Sequence, residues 1–140
     1  MTTPRIIVDT AEQAPLHFTR QWVKKSLDTG DYSLEGFEGR ICVERKSLPD
    51  LVKSVIHDWL RFSKCLRRMS GMEVAFIVVE APVTALMEHK YIGETLPASV
   101  RGKLNSIILD FGVHTIFLDN REIAAAWIEN LFDQFERRQV

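Results

Sequence analysis

Long apolar runs are missing from this chain, and so is a surplus of charge of either sign. No apolar stretch approaches the ~20 residues a membrane-spanning helix needs, so no membrane partner is expected. Lys and Arg (18) nearly balance Asp and Glu (19), leaving a formal charge of −1. Any hold on nucleic acid must therefore come from a local patch and not from overall charge. Cysteine is scarce: Cys42 and Cys65 are the only two, with no CxxC pair and no Cys/His cluster. That argues against structural zinc and fits free thiols in a reducing compartment. The opening MTTPRIIVDT has no apolar signal-peptide core, so the expected setting is cytoplasmic and not secretory. Repeats, low-complexity tracts and linkers are also absent. With 46% apolar and 26% charged residues over 140 positions, the composition predicts one globular domain, 1–140, with a real core.

What is present is concentrated in residues 30–50, GDYSLEGFEGRICVERKSLPD. Asp31 follows a glycine and opens a short strand-like run. A turn-rich segment leads to a second strand, 41–43, that ends on Glu44-Arg45-Lys46. Side chains alternate along a strand, so Glu44 and Lys46 share a face while Arg45 points to the other. Two carboxylates at neighbouring strand ends suit a magnesium ion, which takes hard oxygen ligands and usually only one or two from protein. A bound cation acidifies water and neutralises charge on a phosphate, and an ammonium beside it can orient the attacking water. Asp31, Glu44 and Lys46 are thus candidate catalytic residues for phosphodiester hydrolysis. Glu-x-Lys alone arises often by chance as a polar strand end. The upstream acid and the flanking strands strengthen it here.

The rest of the chain reads as a layered α/β fold. Residues 5–8 predict a buried strand ending at Asp9, and 18–27 a short helix with Phe18, Trp22, Val23 and Leu27 at helical spacing. A long helix is expected over 48–69, started by a Ser47/Asp50 capping box with Pro49 in the first turn. The run 74–79 predicts a central strand covered on both faces. A helical piece near 84–89, a helix over 97–111, a strand at 115–118 and a helix over 121–138 complete the layout. The last helix has a wide apolar face, which serves as core or as a dimer surface.

Further candidates stand beside simpler readings. Asp9 ends the first strand and is expected in the metal site, although Asp also caps turns routinely. Glu12 in the following loop and Asp50 are supporting candidates, Asp50 having the helix cap as its structural role. Arg45, Arg61, Lys64 and Arg68 are candidate DNA contacts, with Lys53 on the same basic helix face. Such faces are more often simply solvated. The four histidines show no metal-ligand spacing.

Gly30-Asp31, Glu44-Arg45-Lys46 and Asp50 together resemble the GD…ERKxxxD hallmark of the XPF/Hef-type nuclease domain family. The likeness continues through VDTAEQAPL (8–16), LRFSKCLRRM with FIVVE, and SVRGKLNSIILDFGVHTIFLDNREIAAAWIENLF, nearly the whole chain. It implies a restriction-endonuclease-like core of the PD-(D/E)xK superfamily, a mixed central sheet flanked by helices. It also implies Mg2+- or Mn2+-dependent cleavage of branched, flap or fork DNA in repair, recombination or phage replication. Ala11 stands where the family usually has Arg in its first acidic loop. There is no room for tandem helix-hairpin-helix modules, so the chain resembles the stand-alone bacterial or phage versions, and DNA grip would need a homodimer or a partner subunit. A catalytically silent binding subunit and a four-way-junction resolvase are the alternatives.

Overall fold

Six strands form one mixed sheet in the computed structural model, which describes residues 3–139. In chain order they are β1 (Ile6–Val8), β2 (Trp22–Lys24), β3 (Tyr32–Leu34), β4 (Ile41–Lys46), β5 (Val74–Glu80) and β6 (His114–Leu118). Their order across the sheet is β2-β1-β3-β4-β5-β6. The β1–β3 and β3–β4 pairs are antiparallel and the others parallel. The helices are α1 (Leu48–Val52), α2 (Trp59–Ser70), α3 (Val83–Met87), α4 (Pro97–Phe111) and α5 (Arg121–Arg137). This is the expected α/β architecture, a mixed sheet between helical layers. No helix among the described residues is long and apolar enough to cross a membrane.

Strand alternation divides the core in two. Cys42, Ile77 and Val79 pack with Leu51, Val55, Leu66 and Leu104 under α1, α2 and α4. Ile41, Val43 and Val78 pack with Ile128, Phe132 and Phe135 of α5. The even positions of β4 therefore face α2 and the odd ones face α5, which decides where its three charged residues go. On α5, Ala124, Ile128 and Phe132 are fully buried, whereas Ile123 and Trp127 stay 43% and 50% exposed. The apolar face of that helix is thus wider than the sheet covers.

Two local expectations are corrected. Residues 18–27 are not helical: Trp22–Lys24 is a strand parallel to β1. Ile6 N–H donates to Gln21 O at 3.0 Å and Lys25 N–H to Val8 O at 3.1 Å. Thr19 Oγ1 and Arg20 N–H both donate to Glu129, and Arg20 pairs with Asp133 and Glu136 on α5. These distant partners hold the segment extended against its helical spacing. The helix expected over 48–69 is also not continuous. The Ser47 hydroxyl accepts from Asp50 N–H at 3.2 Å and starts α1. Residues Lys53–His57 then form a wide π turn, and Asp58 leaves helical geometry (φ −115°, ψ 29°) before α2 begins. Such wide turns recur at functional sites.

Gly30 sets the entry to β3. Its φ is +84°, and a Cβ there would sit 3.0 Å from Cys42 Cβ and 3.2 Å from Val43 O. Gly30→Ala is expected to cost about 2–4 kcal/mol, combining left-handed strain with overpacking. Urea unfolding measures it, with Gly39→Ala, where a Cβ meets nothing within 4 Å, as the neutral comparison. Equal midpoints for the two variants would contradict this reading.

Candidate active site

The ends of β3 and β4 bring two acids together. Asp31 N–H donates to Val43 O at 2.8 Å, and Asp31 O accepts from Asp9 N–H at 2.9 Å, so its backbone is fixed on both sides. Asp31 Oδ2 accepts from Arg45 N–H at 2.7 Å. This turns its carboxyl toward Glu44, closely enough for the two to share a hydrogen bond when one is protonated. Burial and then the charge of Glu44 push the Asp31 carboxyl up to about 8. Cys65 Sγ donates weakly to Glu44 Oε2 at 3.8 Å, and burial with that nearby carboxylate raises its thiol to about 11.

Glu44 opens onto a cleft of about 330 Å³ between the end of β4 and the α1–α2 segment. Four cations, Lys46, Lys53, Arg61 and Arg68, line it together with Asp50 and Asp58. The Lys46 ammonium lies 5.0 Å from the centre of the Phe62 ring, a cation–π contact that holds it at the cleft wall. Positions 54, 58, 61, 65 and 68 all line this cleft at intervals of four and three, one helical stripe bent at Asp58. That spacing was readable in the sequence, yet Ser54, Asp58 and Cys65 were not singled out from it.

The donor set fits a hard divalent ion. Two apposed carboxylates repel each other, and a cation between them relieves the repulsion. Among the described residues no group of three His, Cys, Asp or Glu could hold a metal. An ion here would have Asp31 and Glu44 as its protein ligands and fill its shell with water and substrate oxygen, the habit of magnesium.

Other expected site residues lie elsewhere. Asp9 does not join the pair: Oδ1 accepts from Leu27 N–H at 2.8 Å and Oδ2 from Ala11 N–H at 3.2 Å, so its carboxylate ties two loops. Arg45, a candidate DNA contact, is engaged within the protein. Its guanidinium lies on the α5 side of the sheet with only 11% of the side chain exposed, bonded to Glu80, to Ala14 O at 2.6 Å and to Glu12 at 3.4 Å. Glu12 also accepts from the Tyr32 hydroxyl at 3.0 Å, which in turn accepts from Leu16 N–H. Glu12 is thus a support and only a minor source of repulsion at Asp31. Asp50 lines the cleft in the first turn of α1; its N–H donates to the Ser47 hydroxyl, and the return bond of a capping box, from Ser47 N–H to the Asp50 carboxylate, is not made. Lys64 is exposed and does not line the cleft, one step round the helix from Arg61 and Arg68. Glu80, unassigned from sequence, is the main partner of Arg45; 35 positions separate them, and nothing local signals the pairing.

Comparisons with known proteins agree on one family. Residues 8–131 match the family model of the ERCC4 domain. A Methanocaldococcus jannaschii protein, named as an inferred ATP-dependent RNA helicase, is 32% identical over 124 residues, covering 86% of this chain and 14% of its own length. XPF from Aeropyrum pernix superposes with a TM-score of 0.76 at 28% identity, covering 94% of this chain and 61% of that one. The same protein in complex with DNA gives 0.78 at 26% identity, covering 97% and 66%. The chain therefore spans less than two thirds of each of these relatives.

The apposed acids make a prediction for the metal-free protein. Asp31 titrates near 8 when folded and about 4 when unfolded. Between those values the folded state keeps a proton that the unfolded state has released. This group's contribution to stability therefore falls as pH rises through that window and levels off above it. At pH 8 in EDTA, Asp31→Asn is expected to melt several degrees above wild type, with the gap closing toward pH 4. A variant that melts at or below wild type at pH 8 would refute the repulsion.

Proposed function

The chain belongs to the ERCC4-domain family of XPF/Hef-type nucleases, and we propose that it is a divalent-metal-dependent endonuclease hydrolysing the DNA backbone. The observation that supports this most is the buried Asp31 carboxyl beside Glu44, which itself lines a cleft walled by four cations. The likeness to an XPF in complex with DNA makes DNA the substrate of choice. Helicase chemistry is not part of the proposal, since the sequence has no GxxxxGK[ST] phosphate loop.

Asp31 and Glu44 would hold the Mg2+ or Mn2+ ion, which when bound activates water and offsets charge on the phosphate. Lys46, on the Glu44 face of β4, orients a water or steadies the charge developing on the phosphate oxygens. Arg61 and Arg68, with Lys53, take the flanking phosphates. Asp9 acts only through its loops, and Arg45 with Glu12 and Glu80 holds the strand ends in register. Branched, fork or flap DNA is the expected substrate class, in repair, recombination or phage replication. The exposed Ile123 and Trp127 of α5 offer a surface for a homodimer or a partner subunit that adds grip. The two free thiols suit a cytoplasmic protein, and residues 1–140 would act as one nuclease domain.

The test is incubation of the purified protein with fork, flap and four-way-junction DNA in Mg2+ or Mn2+. Wild type should nick at least one of them, and Glu44→Ala should lose about a hundredfold or more in rate. Cleavage confined to the four-way junction would make it a resolvase. No cleavage by wild type, or equal cleavage by Glu44→Ala, would leave a silent binding subunit.

A further inference from the structure

A second cleft, of about 540 Å³, lies between the 26–29 turn, Glu38-Gly39 and the end of α2 at Gly71-Met72. Arg68 lines both this cleft and the candidate active site. We propose that the second cleft takes one unpaired nucleobase of the strand whose phosphate lies over Arg68. The proposal rests on the reading of the first cleft as a DNA-cleaving site.

Arg68 is held in place for that task. Its Nε donates at 3.1 Å to Thr29 Oγ1, and Thr29 is only 7% exposed. No other protein acceptor for this guanidinium exists among the described residues, so its two Nη groups are free to take a phosphate in fork geometry. The position along α2 is also suitable. Cys65 touches Glu44, and Arg68 follows three residues later, about 4.5 Å further along the helix axis. A strand whose scissile phosphate sits at Glu44 therefore reaches Arg68 with an adjacent nucleotide.

Charge then decides which part of the nucleotide enters. Inside the cleft stand Asp28 and Glu38, neither engaged in a side-chain hydrogen bond or an ion pair among the described residues. Two carboxylates repel a phosphate, so the backbone stays at the arginine and the neutral base turns inward. The half-buried Leu27 and Met72 give that base apolar edges to lie against. Ionised carboxylates only accept hydrogen bonds. They favour bases with an exocyclic amine (cytosine, adenine, guanine) over thymine, whose single donor, the N3–H, is flanked by two carbonyl oxygens that the carboxylates repel. The volume lies within the usual range of small-ligand sites, and a base taken out of its stack and read on its pairing edge is a recurring mode of recognition.

Gly39 provides the test. Its φ is outside the left-handed region, it stands at the cleft wall and a Cβ there meets nothing within 4 Å, so Gly39→Phe adds a ring at the rim of the cleft without straining the backbone; its melting temperature verifies the fold. Fluorescein-labelled single-stranded octamers of dC, of dT and of abasic sites are titrated in EDTA by anisotropy, with wild type and Gly39→Phe. Wild type should bind the dC octamer about fivefold more tightly than the other two, the worth of one or two hydrogen bonds. Gly39→Phe should bring all three to the same affinity, and Asp28→Asn with Glu38→Gln should erase the difference between dC and dT. Equal binding of the three octamers by wild type, or a dC preference that survives either variant, would overturn the proposal. Cleavage assays run in parallel separate the two readings: cutting without base preference removes the pocket alone, and base preference without cutting removes the nuclease alone.

Discussion

The mutual repulsion of Asp31 and Glu44 is the constraint around which this molecule is arranged. Two carboxyls brought within hydrogen-bonding reach destabilise a fold unless something holds them there. Here the holding is through backbone hydrogen bonds close by on one side and long-range on the other. Gly30 lets the chain pass against Cys42, the Val43 carbonyl fixes Asp31, and the Arg45 N–H binds its carboxyl. On the opposite face of the sheet the Arg45 guanidinium joins Glu80, the 9–16 loop and, through Glu12, Tyr32. One residue thus orients an acid with its backbone and locks three strand ends with its side chain. The stability lost at the acids is offset by two apolar layers that continue without interruption to either side of them.

Alternation along β4 separates these duties. Cys42, Glu44 and Lys46 face α2, where the cleft lies, and Ile41, Val43 and Arg45 face α5. A single-residue slip in register would exchange the two sets and abolish both. The six-residue parallel register of β4 on β5, from Ile41–Val74 to Lys46–Val79, guards against that. The π turn and the break at Asp58 then bend the helical stripe so that Ser54, Asp58, Arg61 and Arg68 all look into the same cleft.

Much of this was legible because it is local. The Gly30-Asp31 turn, the β3–β4 hairpin, the Ser47 cap and the split of Glu44-Arg45-Lys46 between two faces all follow from spacing within a few residues. What was not legible has the opposite character. Residues 18–27 have helical spacing, but their backbone is claimed by β1 and by Glu129, more than a hundred positions away. Arg45 reads as a phosphate contact until Glu80 and the Ala14 carbonyl take its donors. Asp9 reads as a ligand until the Leu27 and Ala11 amides take its oxygens. In the last two cases a residue type suited to chemistry is used for structure, and in all three the partner that decides it is distant in sequence or lies in a loop without pattern.

The most direct test of the shared-cation claim is a crystal of the protein soaked in Mn2+ and measured at the manganese absorption edge. The account predicts one anomalous peak between the carboxyls of Asp31 and Glu44, at ligand distances of about 2.1–2.3 Å, absent from crystals of Asp31→Ala. A peak elsewhere, or none at Mn2+ concentrations that support cleavage, would contradict it.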